Sequence, residues 1–170
     1  MSKSERAPTQ CPVGRTLERV GDGWTFLILR DAGQGLTRFD QFEKSLGVAP
    51  NILTKRLAAL VENGLLEKRR YQERPPRFEY VLTERGRDFG AVLTAMMAFG
   101  NRHFAPEGAA GQLVDRQTGQ AAEPILVDRV SGKPITEEHF AYAPGPAAGP
   151  EVLARVAFMA ERAGKTATEG

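Results

Sequence analysis

The sequence predicts a mainly α fold with a small β-wing, of the α+β class, and three observations carry that prediction. Residues 49–63 repeat Leu53, Leu57, Leu60 and Val61 at the spacing of one helical face. Gly64 stops that run, and two short segments follow, 65–71 and 77–82. In the second, Phe78, Tyr80 and Leu82 alternate with Arg77, Glu79 and Val81 as strand residues do. Pro75 and Pro76 cannot donate to a central ladder, so the turn lies between the segments. A helix, a stop and a basic hairpin in that order outline a winged helix-turn-helix. A small β-hairpin appendage and a C-terminal helix are expected after it.

Residues 1–10 are polar, contain Pro8 and read as a flexible lead. Cys11-Pro12-Val13 opens a helix whose Val13, Leu17 and Val20 keep helical spacing until Gly21 and Gly23. Trp24 to Arg30 restarts a strongly apolar helix, the expected core of the domain, ending near Gly33 or Gly35. Thr37 is the expected N-cap of a helix over 38–45, with Phe39, Phe42 and Leu46 on one face and Gly47 turning into the next helix. Pro50 fits that helix's first position, where a missing N–H costs little, and Gly64 fits just past its end.

Beyond the wing, Thr83-Glu84 starts a further helix carrying Phe89, Val92, Leu93, Met96, Met97, Phe99 and Phe104. That apolar face is wider than one small domain needs, and the surplus predicts a homodimer surface; the plainer alternative is packing against the first helix of its own chain. The winged-helix and dimerisation domain is thus expected over 11–104, with a linker at 105–111. The appendage, 112–142, contains a weak internal repeat, Leu113-Val114-Asp115-Arg116-Gln117-Thr118-Gly119 and Leu126-Val127-Asp128-Arg129-Val130-Ser131-Gly132. Each copy reads as a short strand closed by a glycine turn. A Pro/Gly linker, 143–150, leads to a last helix over 151–164 with Val152, Val156 and Met159 on one face, and 165–170 read as frayed.

A chain of 170 residues with 41% hydrophobic and 26% charged content suits an ordinary globular protein. It contains no apolar run of membrane-spanning length and no signal-peptide core, so a cytoplasmic location without a membrane partner is expected. A single cysteine excludes an intrachain disulfide framework and any multi-cysteine zinc site. The net charge is +2, but residues 1–106 hold 17 Lys+Arg against 12 Asp+Glu while residues 107–170 hold 6 against 9. The basic excess therefore sits with the helix and wing. His103 and His139 stand far apart without a cysteine to complete a metal or catalytic set, so no catalytic residue, metal or cofactor is expected.

Asn51, Thr54, Lys55 and Arg56 crowd the exposed N-terminal half of the helix after Gly47, the half that a recognition helix pushes into a major groove. With Pro50 they are the candidates for groove and adjacent backbone contacts; Arg38, Arg69, Arg70, Arg74 and Arg77 are the candidates for phosphates. Taken singly, each element could be a merely solvated charged surface, but adjacent and in this order they favour double-stranded DNA as partner. Cys11 is a redox-sensing candidate, because a thiolate at a helix N-terminus is stabilised by unpaired N–H groups, with Arg15 one turn on. A packed, inert thiol is the plainer reading. As the sole thiol it can form a Cys11–Cys11 bond between chains, a mixed disulfide or an adduct.

Several short motifs then act in combination: Cys11-Pro12-Val13, Gly23-Trp24-Thr25, Leu27-Ile28-Leu29-Arg30, Arg38-Phe39, Leu53-Thr54-Lys55-Arg56-Leu57, Glu62-Asn63-Gly64-Leu65, Pro75-Pro76-Arg77-Phe78-Glu79-Tyr80 and Leu82-Thr83-Glu84-Arg85-Gly86. Over 11–103 the chain resembles the HxlR-type transcriptional regulators, a winged-helix group related to the MarR proteins. The resemblance implies a homodimer joined through the first and last helices of the domain, binding an inverted-repeat operator near a promoter, here expected to act as a repressor. In several such proteins the cysteine matching Cys11 senses oxidants, quinones or disulfide stress. Ala49 departs from the family, which often has a serine before the proline.

The appendage resembles the tail of a family subset in which paired cysteines near the glycine turns form a zinc-ribbon-like knuckle. Thr118 and Ser131 stand where such cysteines are expected, and His139 alone offers a nitrogen, so a metal-free, degenerate ribbon is expected. Two other readings stay open: a regulator answering a small ligand without thiol sensing, and a winged-helix protein–protein interaction module that does not bind DNA.

Overall fold

The computed structural model describes residues 9–166, side chains through residue 162. It divides into two units, Arg19–Leu126 and a second made of the chain up to Glu18 with that from Val127 onward. In chain order the elements are α1 (Pro12–Val20), α2 (Gly23–Gly33), α3 (Phe39–Leu46), α4 (Pro50–Glu62), β1 (Leu66–Gln72), β2 (Arg77–Leu82), α5 (Glu84–Asp88), α6 (Gly90–His103) and α7 (Pro150–Thr166), as predicted through β2.

In the Arg19–Leu126 unit, α2, α3, α4 and the base of the wing enclose one apolar core. Ile28, Leu29, Phe42, Leu53, Leu57, Leu60 and Leu66 are all at most 1% exposed, with Val20, Val48, Leu65 and Phe89 beside them. Burying such side chains is worth about 1.5–3 kcal/mol each, which is why the helical periods were readable. Asp22 caps α2, its carboxylate accepting from the backbone N–H of Thr25 at 3.1 Å and from the Thr25 hydroxyl at 3.3 Å. Gly47, at φ 60°, makes the turn between α3 and α4 that a side chain would strain.

The N-cap of α3 is Arg38, and the expectation of Thr37 is corrected. Thr37 is drawn to the sheet instead: the Tyr80 N–H donates to its carbonyl at 2.7 Å, and Arg38 forms an antiparallel bridge with Glu79. The capping role passes to Gln41, whose side-chain oxygen accepts from the N–H groups of Thr37 at 3.0 Å and Arg38 at 2.9 Å. The wing therefore carries a third, one-residue rung beside β2.

β1 and β2 pair antiparallel from Leu66↔Leu82 to Arg70↔Phe78 and Gln72↔Arg77, with an irregularity that sets Tyr71 outside the register. The Arg74–Pro75 peptide in the connecting turn is cis. Thr83 caps α5, accepting from Gly86 N–H at 3.1 Å while its hydroxyl donates to the Gly64 carbonyl at 2.7 Å. The helix expected from Thr83 onward is broken at Phe89, which turns into the core with its ring 5.4 Å from that of Phe26. The chain restarts at Gly90 as α6, none of whose residues is fully buried.

The two copies of the repeat form tight turns rather than extended hairpins, each closed by one bridge, Val114↔Ala121 and Val127↔Pro134. The first lies in the Arg19–Leu126 unit and the second in the other, where α7 also lies. α7 extends through Thr166, past the expected end at 164; residues 1–8 and 167–170, where the flexible lead and most of the frayed end were expected, lie outside the described residues.

Candidate nucleic-acid interface

α4 owes its exposure pattern to one face of leucines. Leu53, Leu57 and Leu60 point into the core, leaving Pro50, Asn51, Thr54 and Lys55 exposed. Ala49 is the N-cap and offers no side-chain acceptor. The hydroxyl of Thr54 donates to the Pro50 carbonyl at 2.8 Å, and the Asn51 side-chain oxygen accepts from Ile52 N–H at 2.9 Å. Among the described residues, no carboxylate pairs with Lys55. Arg56 differs from its neighbour: it is half-buried and its guanidinium meets the Asp22 carboxylate at 2.6 Å, tying α4 to the start of α2.

The wing separates its arginines into engaged and open ones. Arg69 pairs with Glu67 at 2.9 Å, and that hydrogen bond holds the Glu67 carboxyl below its ordinary range. Arg70 reaches Glu73 at 3.0 Å. Both pairs are exposed, so water already screens them and phosphates can replace the carboxylates at little cost. Arg74 and Arg77 have no ion pair among the described residues. Two cations lie over aromatic rings: Arg38 is 4.8 Å from the Tyr71 ring centre, and Lys68 is 4.2 Å from that of Phe78. Lys68, Tyr71 and Phe78 join the candidates only through these contacts. Lys68 lies in the same basic run as Arg69 and Arg70 and could have been found; the Tyr71 position depends on the strand irregularity and could not.

Cys11 is the residue before α1 and acts as its cap. Its carbonyl accepts from Arg15 N–H at 2.9 Å, and its own N–H donates to the Thr9 hydroxyl at 3.2 Å. The backbone N–H of Gly14 is the main cause that holds the thiol below its ordinary pKa; the Val13 N–H and the charge of Arg155 add to it. Arg15 instead donates to the Thr9 carbonyl at 2.9 Å.

In the turns of the repeat, Asp115 accepts from the N–H groups of Gln117 and Thr118 and from the Thr118 hydroxyl, at 2.7–3.1 Å. Asp128 accepts from the Ser131 N–H at 2.7 Å and its hydroxyl at 2.6 Å. Thr118 and Ser131 thus serve as donors within each turn. Among the described residues, no group of three or more His, Cys, Asp or Glu side chains is placed to hold a metal ion. Among the described residues, no helix is long and apolar enough to cross a membrane.

Comparison with known proteins agrees with this geometry. Residues 19–108 match the model of the HxlR-like helix-turn-helix family. The chain is 42% identical over 135 residues to the uncharacterized HTH-type transcriptional regulator Rv3095 of Mycobacterium tuberculosis, covering 79% of this chain and 85% of that one. Among solved structures it is similar to PA1374 of Pseudomonas aeruginosa, a candidate transcription factor, at 49% identity and a TM-score of 0.62, over 85% of this chain and 99% of that one. It is also similar to the oxidized form of the redox regulator HypR, at 30% identity and a TM-score of 0.51, over 55% of this chain and 97% of that one. A recognition helix and wing in this arrangement, with these relatives, make the chain a member of the HxlR-like helix-turn-helix family and a transcriptional regulator.

Proposed function

We propose that the protein is a homodimeric repressor that reads an inverted-repeat operator with α4 and tracks the flanking phosphates with its wing. The observation that carries this is the N-terminal half of α4, with Asn51 and Lys55 exposed, in a unit whose wing leaves Arg74 and Arg77 open. Pro50, Asn51, Thr54 and Lys55 serve the groove and adjacent backbone. Arg56 joins them only by exchanging its Asp22 partner, and so acts chiefly to set the pose of α4. Arg38, Arg69, Arg70, Arg74 and Arg77 serve phosphates. Exposed Val92, Met96 and Phe99 on α6 support dimerisation through that helix, because an apolar face of this size is unfavourable in water. The organisation into a 11–104 DNA-binding and dimerisation domain with a metal-free appendage belongs to the same proposal.

Cys11 is the proposed trigger. Its lowered thiol pKa raises the thiolate fraction at neutral pH, the form that attacks oxidants and quinones, and the likeness to HypR, a redox regulator, supports a redox trigger. Footprinting the DNA flanking the coding region, with and without an oxidant, tests both parts. Protection of two half-sites spaced by about 10 bp or a multiple is expected, lost on oxidation in the parent and retained in Cys11→Ser. Absence of any footprint sinks the DNA reading; equal release from both proteins sinks the sensor alone. A second reading, a small-molecule effector, is favoured by a hollow of about 360 Å³ against α6, lined by Ala95, Phe99, Arg102 and Ile125 among others, a size suited to such ligands.

A further inference from the structure

Arg38, Phe39, Asp40, Tyr71, Arg77 and Phe78 line a second, open hollow, of about 320 Å³, between the start of α3 and the outer end of the wing. Two long-range features build it. The Arg38–Glu79 bridge lays the residue before α3 along β2. The irregularity between Arg70 and Gln72 frees Tyr71 from strand pairing, and its ring lies under the Arg38 guanidinium at 4.8 Å. A guanidinium resting on a ring keeps its N–H edge available for an anion, and the ring limits where that edge can point. Arg77 supplies a second cation, and among the described residues neither arginine has a carboxylate in ion-pair contact. Asp40 supplies one opposing charge, so the hollow is net positive by a single unit.

We propose that this hollow seats one phosphate of duplex DNA together with its adjoining deoxyribose, and that Tyr71 is the positioning residue that aims Arg38 at that phosphate. The proposal rests on the DNA-binding reading and deepens it. The charge balance suits a single anion rather than an acidic peptide of many charges. Tyr71 and Phe78, each 39% exposed on a wing otherwise rich in charged groups, supply apolar walls that a sugar covers and a free anion does not. Contacts of this kind are independent of base sequence.

The test is fluorescence anisotropy of the full chain on generic duplex DNA across a salt series. Tyr71→Leu is expected to weaken binding about two- to fivefold, the worth of an exposed cation–ring contact, and to flatten the salt dependence by up to about one released ion. Tyr71→Phe, which keeps the ring, should match the parent. Asp40→Asn should strengthen binding, by about twofold or more, because it removes the charge opposing the phosphate. Lys55→Ala is the control on α4. If Lys55→Ala weakens binding while Tyr71→Leu and Asp40→Asn leave affinity and salt slope unchanged, the seat is wrong and the DNA reading stands. Loss in Tyr71→Phe equal to that in Tyr71→Leu also overturns the seat, since the hydroxyl and not the ring would then matter. If the parent binds no duplex, both readings fall together. Unchanged thermal unfolding of Tyr71→Leu separates a binding effect from a folding one.

Discussion

In the winged-helix core Phe42, Leu53, Leu57 and Leu60 are completely buried, whereas in the repeat Leu126, Val127 and Val130 are 59%, 47% and 90% exposed. The two regions have a comparable share of apolar residues but hold their shapes by different physics. The core is shaped by apolar area removed from water, which acts over the whole set of contacting side chains at once. Each turn of the repeat is shaped by one aspartate that gathers nearby backbone and hydroxyl donors, an interaction confined to a few residues. Damage should therefore spread through the first region and stay local in the second.

The largest expected effect is Phe42→Ala. Removing a fully buried ring leaves a cavity that neighbouring leucines only partly fill, a loss of about 3–5 kcal/mol. Thermal unfolding should fall steeply and DNA binding should disappear with it at ordinary temperature; a shift of a degree or two would mean that damage in the core stays local. Gly86→Ala comes next. A Cβ at Gly86 runs into the Leu65 carbonyl and approaches Leu82 Cδ2 at 2.9 Å, so α5 must move off the wing base. Overpacking of this kind costs about 1–3 kcal/mol, readable by chemical denaturation.

Much of the core half of this contrast was legible in the residues, because burial writes a period into the chain. Leu53, Leu57 and Leu60 announced α4, Pro50 and Gly64 bounded it, and Phe78, Tyr80 and Leu82 announced β2. What escaped was made by contacts between distant residues. Nothing local marks Asp22 as the partner of Arg56, or Thr37 as a sheet acceptor for Tyr80 rather than a cap. The break at Phe89 was hidden for the same reason, since a residue that leaves a helix for the core looks like one more member of an apolar face. In the site, the exposed α4 residues followed from the leucine stripe, while the Arg38–Tyr71 stack required a strand irregularity that no spacing records. The turns of the repeat were seen as glycine turns, but the aspartates that hold them were not, because their role depends on which N–H groups the fold aims at them.

A local bond can also be added to the region that burial holds. Ala49 is the N-cap of α4, extended at φ −59° and ψ 138°, and provides no acceptor for the helix N–H groups. Ala49→Ser should add one, raising stability by about 0.5–2 kcal/mol. Circular dichroism melting checks it, and no gain would mean that Pro50 and the packing of Leu53 already fix the helix start.

The smallest effect is expected at Asp128. Its carboxyl is held below the ordinary aspartate pKa, first by the Ser131 hydroxyl and then by the Ser131 N–H, and that of Asp115 likewise by Thr118 and Gln117. A depressed carboxyl contributes stability that is complete above the unfolded-state value, about 3.9, and that is lost as pH falls through the lower folded-state value. Both turns should therefore loosen only in strong acid. Asp128→Asn should loosen the second turn at neutral pH, because an amide is a weaker acceptor than a carboxylate. Amide hydrogen exchange is the proper measurement: faster exchange at Ser131 and Gly132, with the Arg19–Leu126 core and its melting temperature unmoved. Global melting that follows Asp128→Asn would mean that the turn is coupled to the core, and the contrast between spread and local damage would fail at its weakest point.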